Sequence, residues 1–328
     1  MRLAKQISVL TAVVLAFALF NFSAYELLTK RLSNNFGGAS SAKMIDVGSY
    51  LPHSSESALP DIDSSLKLSG SLPVLDGAAA LVPVYASVID SVYPEGCVTF
   101  EGGEFSDDNF YGENFASDSA MQYKNTVRGY KAIVDGATDI FFSAAPSEEQ
   151  KKYAEECGAE LVYVPIGLEG FVFFVNENNP VDNLTAEQVR GIYSGEYKNW
   201  REVGGADRII NPVTRIAGSG SQTAFERFMG ERKIGGKSLL AITGASVGFS
   251  FRYYMDGIVG NDGVKMLSLD GVYPSAENIR NGTYPIIAKF YAVYRADNDN
   301  ENIPVLIDWL LSEEGQTLIE KNGYVRIK

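Results

Sequence analysis

The sequence predicts an α/β protein of two lobes, each a mostly parallel sheet flanked by helices, with a ligand cleft between them. Three observations carry this reading. The chain has 328 residues, room for about two domains at roughly 150 residues each. From Leu72 onward, short apolar runs alternate with segments of helical periodicity, and alternation with apolar strand runs marks a parallel sheet covered on both faces. Glycine-bearing loops lead into several of the helices. In open parallel sheets, ligands bind outside the carboxyl ends of the strands, beside such helix N-termini.

The first strand is "LPVLDG" (72–77), ending in a glycine turn. "AALVPVYASVIDSVYP" (79–94) repeats apolar residues at helical spacing, and Pro83 is tolerated there because it falls in the first turn. "CVTFEG" (97–102) reads as a second strand, "TVRGYKAIVDGA" (126–137) as a helix and "TDIFFSAAP" (138–146) as a third strand. The helix "SEEQKKYAEECG" stops at Gly158, and "ELVYVPI" (160–166) is the next strand. "GFVFFVN" (170–176) opens a second set of elements, in which "NPVTRIAGSGSQTAFERFMG" (211–230) reads as strand, glycine-rich loop and helix. Near the end, "YPIIAKFYAVYRA" (284–296) is a strand pair or one long strand, and residues 302–323 supply one or two helices. There is no internal repeat.

The amino terminus precedes this fold. Arg2 and Lys5 are followed by a 14-residue apolar run, Ile7 to Phe20, and a weaker extension to Leu28. The pattern is that of an export signal. Cleavage after Ala24 would leave bulky Phe22 where a small residue is preferred, so an uncleaved anchor over residues 1–28 stands beside the cleaved signal. Either reading places the folded part outside the cytoplasm. Residues 29–70, rich in Ser, Gly, Asp and Pro, read as a flexible spacer.

Composition removes several function classes. The charge is 28 − 41 = −13, which argues against broad nucleic-acid binding, since that needs a basic face to replace counterions. The sole histidine, His53, falls in the expected spacer, which disfavours a Ser-His-Asp triad. With two cysteines, Cys97 and Cys157, no Cys/His metal set can be assembled, and no cofactor is implied. Those cysteines are either a disulfide across a 60-residue separation or two small buried thiols. Glu148, Glu149, Glu155 and Glu156 alternate with Lys151 and Lys152, the pattern of a solvated helix face. Tyr197, Lys198, Trp200 and Arg201 read as helix-end packing ahead of a nucleic-acid platform.

Three loops lead into helices in the way a cleft site needs: "DGAAA" (76–80), "NTVRG" (125–129) and "RIAGSGS" (215–221). The last is the richest in chemistry. Its glycines let the backbone approach a ligand, and the following helix N-terminus adds about half a positive charge. Ser219 and Ser221 can donate hydroxyl hydrogens, and Arg215 can grip an oxyanion through two N–H groups. The loop fits neither the P-loop nor the nucleophile-elbow pattern.

From about Leu72 to Ile327 the chain resembles the phosphate-binding proteins of bacterial ABC phosphate importers. The resemblance rests on "LDGAAALVPVY", "YKAIVDGATDIFFSAAPSEEQ", "LTAEQVRGIYSGEYKNWREVGG", "NPVTRIAGSGSQTAFERFMG" and "WLLSEEGQTLIEKNGYVRI", in family order and at family-like spacing. It implies a two-lobed periplasmic-binding-protein fold of type II, with lobe 1 over 71–167 plus 286–328 and lobe 2 over 168–285. It also implies capture of phosphate or a related tetrahedral oxyanion, delivery to the permease subunits of an ABC importer, a monomeric state, and no chemistry on the ligand. Arg215, Ser219, Gly220 and Ser221 coincide with the family's anion-binding motif, and Thr126 falls where the family places a phosphate-binding serine. Ala79 stands where a Ser or Thr donor is usual, which leaves the backbone N–H groups of Ala79 and Ala80. Ala144 stands where some members place an Asp that accepts the ligand's proton and others an Arg, with polar Ser143 beside it. These departures imply altered selectivity between phosphate and sulfate. They also keep open a membrane-anchored envelope sensor with a decayed or altered anion site.

Overall fold

A computed structural model describes residues 45–102, 115–215, 217–235, 245–259 and 263–327. The expected signal or anchor and the first part of the expected spacer lie outside them. Strand β1 (Leu75–Gly77) leads through a 3₁₀ turn, Ala79–Leu81, into helix α1 (Val82–Val92). Helix α2 (Asn125–Val134), strand β2 (Ile140–Ala144) and helix α3 (Glu148–Glu156) follow. The long strand β3 (Leu161–Asn176) leads to β4 (Asn183–Leu184), helix α4 (Ala186–Ser194), β5 (Asn211–Pro212) and helix α5 (Gly220–Met229). Then come β6 (Ser246–Phe251), a π-helical turn Tyr254–Val259, β7 (Val264–Met266), β8 (Ser268–Leu269) and α6 (Ala276–Arg280). Strand β9 (Ile287–Arg295) and helices α7 (Asn302–Leu311) and α8 (Glu313–Lys321) close the chain.

Among the described residues, seven strands form one sheet in the order β1-β2-β9-β3-β6-β5, with β7 also on β3. β1 and β2 pair in parallel, as do β5 and β6, and β4 and β8. The antiparallel pairs all involve β3 or β9. These are the strands on which the chain passes between the two halves: Leu161–Gly170 of β3 pairs with β9, and Phe171–Asn176 pairs with β6 and β7. The two separate strands expected at 160–166 and 170–176 are therefore one. A register shift between Pro165 and Gly167 lets it bend without ending, because proline cannot complete the ladder. A Cβ on Gly167 would stand 2.2 Å from the Phe290 ring, so glycine is required at that contact. Residues 284–296 likewise hold one strand, β9. The strand expected at 97–102 appears only as a bridge from Phe100 to Phe115.

Each half has its own core. The first gathers α1, buried along nearly its whole length, against Leu306 and Leu310 of α7 and Leu318 of α8. The second is aromatic: Phe171 and Phe173 of β3 meet Phe225 and Phe249, and the last two rings stack at 4.1 Å. A smaller cluster, with Tyr130, Ile133, Phe141 and Val293, lies under α2. Trp200 is buried in the second core and donates Nε1–H to the Ala245 carbonyl at 2.8 Å, and Tyr197 packs against that core, so the aromatic residues of the 197–201 cluster are packing while Lys198 and Arg201 stay exposed. Two of the four α3 acids sit in exposed pairs, Lys151–Glu148 at 2.7 Å and Lys152–Glu156 at 3.5 Å.

Residues 45–70 correct the spacer reading. Ile45, Val47, Ile62 and Leu68 are buried in the first core, and the Leu68 amide donates to the Val92 carbonyl at 2.7 Å. Ser64, Ser65 and Trp309 donate to the Glu314 carboxylate, and these bonds, that of Trp309 foremost, hold its pKa down to about 2. The composition suggests a solvated linker because its apolar residues are too sparse for a period, yet each anchors one point. His53 lies in this packed segment with its amide on Asp90 Oδ1 at 2.6 Å. Cys97 and Cys157 are free thiols, so the disulfide alternative falls away.

Candidate anion-binding site

The three loops singled out in the sequence meet at one seam between the halves. A Cβ built on Gly220, at the start of α5, would stand 3.8 Å from the Ala144 Cβ at the end of β2 and 3.8 Å from the Phe251 ring. One on Gly218, whose φ is +78°, would stand 3.4 Å from Val127 near the start of α2. Ala79 packs against both cores, and Ala80 and Ala144 pack against the second. The glycine-rich loop of one half thus lies on the start of α2 and the end of β2 in the other.

Local chemistry fixes each piece. Ser219 caps α5: its Oγ accepts the Gln222 amide at 3.3 Å, which leaves its own O–H free to donate elsewhere. Ser219-x-x-Gln222 has the spacing of a reciprocal capping box, but Gln222 Oε1 instead accepts the Arg215 amide at 2.9 Å. That bond ties the arginine's backbone to the first turn of α5. The Arg215 side chain bonds the hydroxyl of Tyr254; burial raises that hydroxyl's pKa and Arg215 restrains the rise. Ser221 lies in the same first turn, half-buried.

On the facing half, Thr126 lies in the first turn of α2, after Asn125 in the left-handed region at φ 58°. The Asn125 side chain accepts the Thr126 amide at 2.7 Å. Asp76, fully buried, joins this turn to the first loop: its Oδ1 accepts the Gly77 amide at 2.7 Å and the Lys124 amide at 2.9 Å. Burial raises the Asp76 carboxyl pKa, and Lys124, with Nζ 3.6 Å from Oδ2, counters the rise. The Ala78 amide donates to the Phe142 carbonyl at 2.8 Å, which seats the Ala79–Ala80 turn on the end of β2. Ser143 is buried, and strand alternation puts it on the Phe141 face under α2, not on the Ala144 face that meets Gly220.

Several residues at the seam went unread in the sequence. Arg227 of α5 donates across it to the carbonyls of Ala145, at 3.4 Å, and Pro146. Tyr324 donates its hydroxyl to the Ala80 carbonyl. Arg227 has the sequence signature of a basic residue completing a helix dipole, and Tyr324 that of an ordinary core aromatic; neither signature names a distant carbonyl. Among the described residues no cluster of three or more His, Cys, Asp or Glu could hold a metal ion, and no helix is long and apolar enough to cross a membrane.

Known proteins resemble this arrangement. The phosphate-binding protein PstS of Bacillus subtilis (strain 168) is 27% identical over 274 residues, covering 80% of this chain and 82% of that protein. The phosphate-binding protein PstS of Borreliella burgdorferi is 25% identical over 222 residues, covering 61% and 78%. A provisionally assigned phosphate ABC transporter substrate-binding protein from Clostridium perfringens, solved with bound phosphate, superposes with a TM-score of 0.56 at 26% identity, over 78% of this chain and 99% of that one. An ABC-type phosphate transport receptor from Vibrio cholerae shares the fold, with a TM-score of 0.54 at 22% identity over 77% and 99%. These are named as binding and transport proteins, not enzymes. The profile of the PBP superfamily domain matches residues 108–314, well over half of the 328, and the chain belongs to the PBP superfamily.

Proposed function

We propose that this protein is an extracytoplasmic solute-binding protein that captures phosphate or a related tetrahedral oxyanion and hands it to the permease of an ABC importer. The observation that supports this most is the seam itself, where Gly220 at the start of α5 lies against Ala144 and Gly218 lies against Val127 of α2, with Ala79 and Ala80 packed on the second core. In this reading Arg215, the hydroxyls of Ser219, Ser221 and Thr126, and the backbone N–H groups of Ala79, Ala80 and Gly220 surround the anion, while Ser143, on the opposite face of β2, drops out of the expected set. Such donors aimed into a cleft that excludes water stabilise an anion far better than exposed ones. The segments 71–167 with 286–328 and 168–285 act as the closing lobes, and the working unit is a monomer.

Isothermal titration and thermal melting with phosphate, sulfate, arsenate and molybdate test the proposal. Ligand at 100 times its Kd adds about 2.7 kcal/mol to the stability of the folded state. The Arg215→Ala variant should melt like the unliganded wild type whatever anion is added. A wild-type protein indifferent to millimolar concentrations of all four anions would overturn the reading.

A further inference from the structure

The turn after α8 touches both cores on consecutive residues: Tyr324 belongs to the first and Val325 to the second. It is gripped from three sides. Leu168 of β3 and Val325 exchange backbone hydrogen bonds of 2.7 and 3.1 Å. Arg252, just past β6, donates Nη2–H to the Gly323 carbonyl, and its Nε lies 3.3 Å from Glu169 Oε1. Glu169, buried on β3, also accepts the Gly170 amide at 2.8 Å and the Tyr253 amide at 3.2 Å. The Tyr324 ring is held between Tyr253 and Phe290, each at 4.8 Å.

From this anchored position Tyr324 reaches the candidate site, where its hydroxyl donates to the Ala80 carbonyl. Ala80 lies in the 3₁₀ turn that opens α1, and in such a turn a carbonyl takes the N–H three residues on. For Ala80 that residue is Pro83, which has no N–H. Tyr324 supplies a donor that the local sequence withholds. Burial raises the Tyr324 hydroxyl pKa, so the proton stays in place to be donated.

We infer that Tyr324 is a positioning residue for the anion site: it fixes the Ala79–Ala80 turn so that its N–H groups face the cleft, and the Glu169–Arg252–Gly323 contacts fix Tyr324 in turn. This rests on the oxyanion-binding reading above. It matters here because Ala79 brings no hydroxyl, so this loop contributes through its backbone alone and its aim decides its worth.

The test is the Tyr324→Phe variant, which keeps the ring and removes the hydroxyl. Titrated with inorganic phosphate, it should show a Kd raised about tenfold, the scale of one well-aimed hydrogen bond. Amide hydrogen exchange supplies a readout that a general packing role would not move. In the wild type, phosphate should protect amides 78–82 and 217–222; in the variant, protection should fall over 78–82 and persist over 217–222. Should Tyr324→Phe not fold, Arg252→Lys, which keeps the charge beside Glu169 but gives up the reach to the Gly323 carbonyl, should show the same asymmetry with a severalfold rise in Kd. Unchanged affinity and protection, or protection lost equally from both loops, overturns the inference while leaving the binding reading intact. A wild type that takes no phosphate sinks the binding reading and this inference with it.

Discussion

In the proposed site Arg215 is the strongest single donor, set in a chain of net charge −13. Its backbone is held by Gln222 and its side chain by Tyr254, so its orientation is fixed before any ligand arrives. The opposite wall is poorer. Ala144 meets Gly220 with a methyl group and offers no acceptor, although hydrogen phosphate carries a proton that sulfate lacks. A site of donors alone treats the two dianions nearly alike, and discrimination requires a carboxylate that one can satisfy and the other repels. The wild type should therefore bind phosphate and sulfate within about a factor of ten of each other. Ala144→Asp should widen the ratio in favour of phosphate by at least tenfold, about 1.4 kcal/mol, as competition titration at pH 7.5 would read. An unchanged ratio would remove Ala144 from the site wall.

At the scale of elements, what could be read in the chain depended on whether the signal was local. Helices α1, α2, α3 and α5 follow from their apolar spacing, from the proline in the first turn of α1 and from the glycines that follow α2, α3 and α5, while the reciprocal capping box of Ser147 and Gln150 on α3 is seen only in the structure. The loop 215–221 was legible because its glycines and donors are consecutive. In sequence Pro165 and Gly167 look like punctuation and predict two strands, whereas paired with β9 they make a bulge within one. The contacts of Tyr324 and Arg227 were out of reach because they join residues 244 and 81 or more positions apart through backbone carbonyls, which have no sequence identity. Glu169 shows the same limit. In sequence it is one acid among apolar neighbours; in the fold it is buried on β3, and burial outweighs Arg252 and the Gly170 and Tyr253 amides to push its pKa up to about 7. A carboxyl raised in this way favours the folded state below its ordinary pKa and loses that contribution as pH rises through 7. The melting temperature of the wild type relative to Glu169→Gln should thus be most favourable near pH 4, decline between about pH 4.5 and 7, and level off above. Parallel melting curves across that range would show that Glu169 is ionised throughout.

At the scale of the molecule, the two halves share two sheet strands and meet again at the seam, an arrangement suited to closing over a ligand by bending at β3 and β9. The acidic surface serves solubility, while the potential inside the cleft is set by the few groups that line it. In the proposed closing motion, one contact across the seam belongs to the closed form. Arg227 rises from α5, the helix that begins at Gly220, and donates to the carbonyls of Ala145 and Pro146, just past Ala144. It therefore spans the seam beside the site without belonging to its lining. Because Arg227 is exposed, its contacts should contribute modestly, about 0.5–1 kcal/mol, and they exist only when the halves are together. Removing them should leave the encounter of open protein and anion unchanged and speed the opening that releases it. Stopped-flow measurement on Arg227→Ala should show a phosphate dissociation rate about two- to fivefold faster, an association rate within a factor of two of wild type, and an unchanged phosphate-to-sulfate ratio. A slower association rate with unaltered dissociation would instead make Arg227 a steering charge for the incoming anion, and the closed form would then have to be held by the loops at the seam alone.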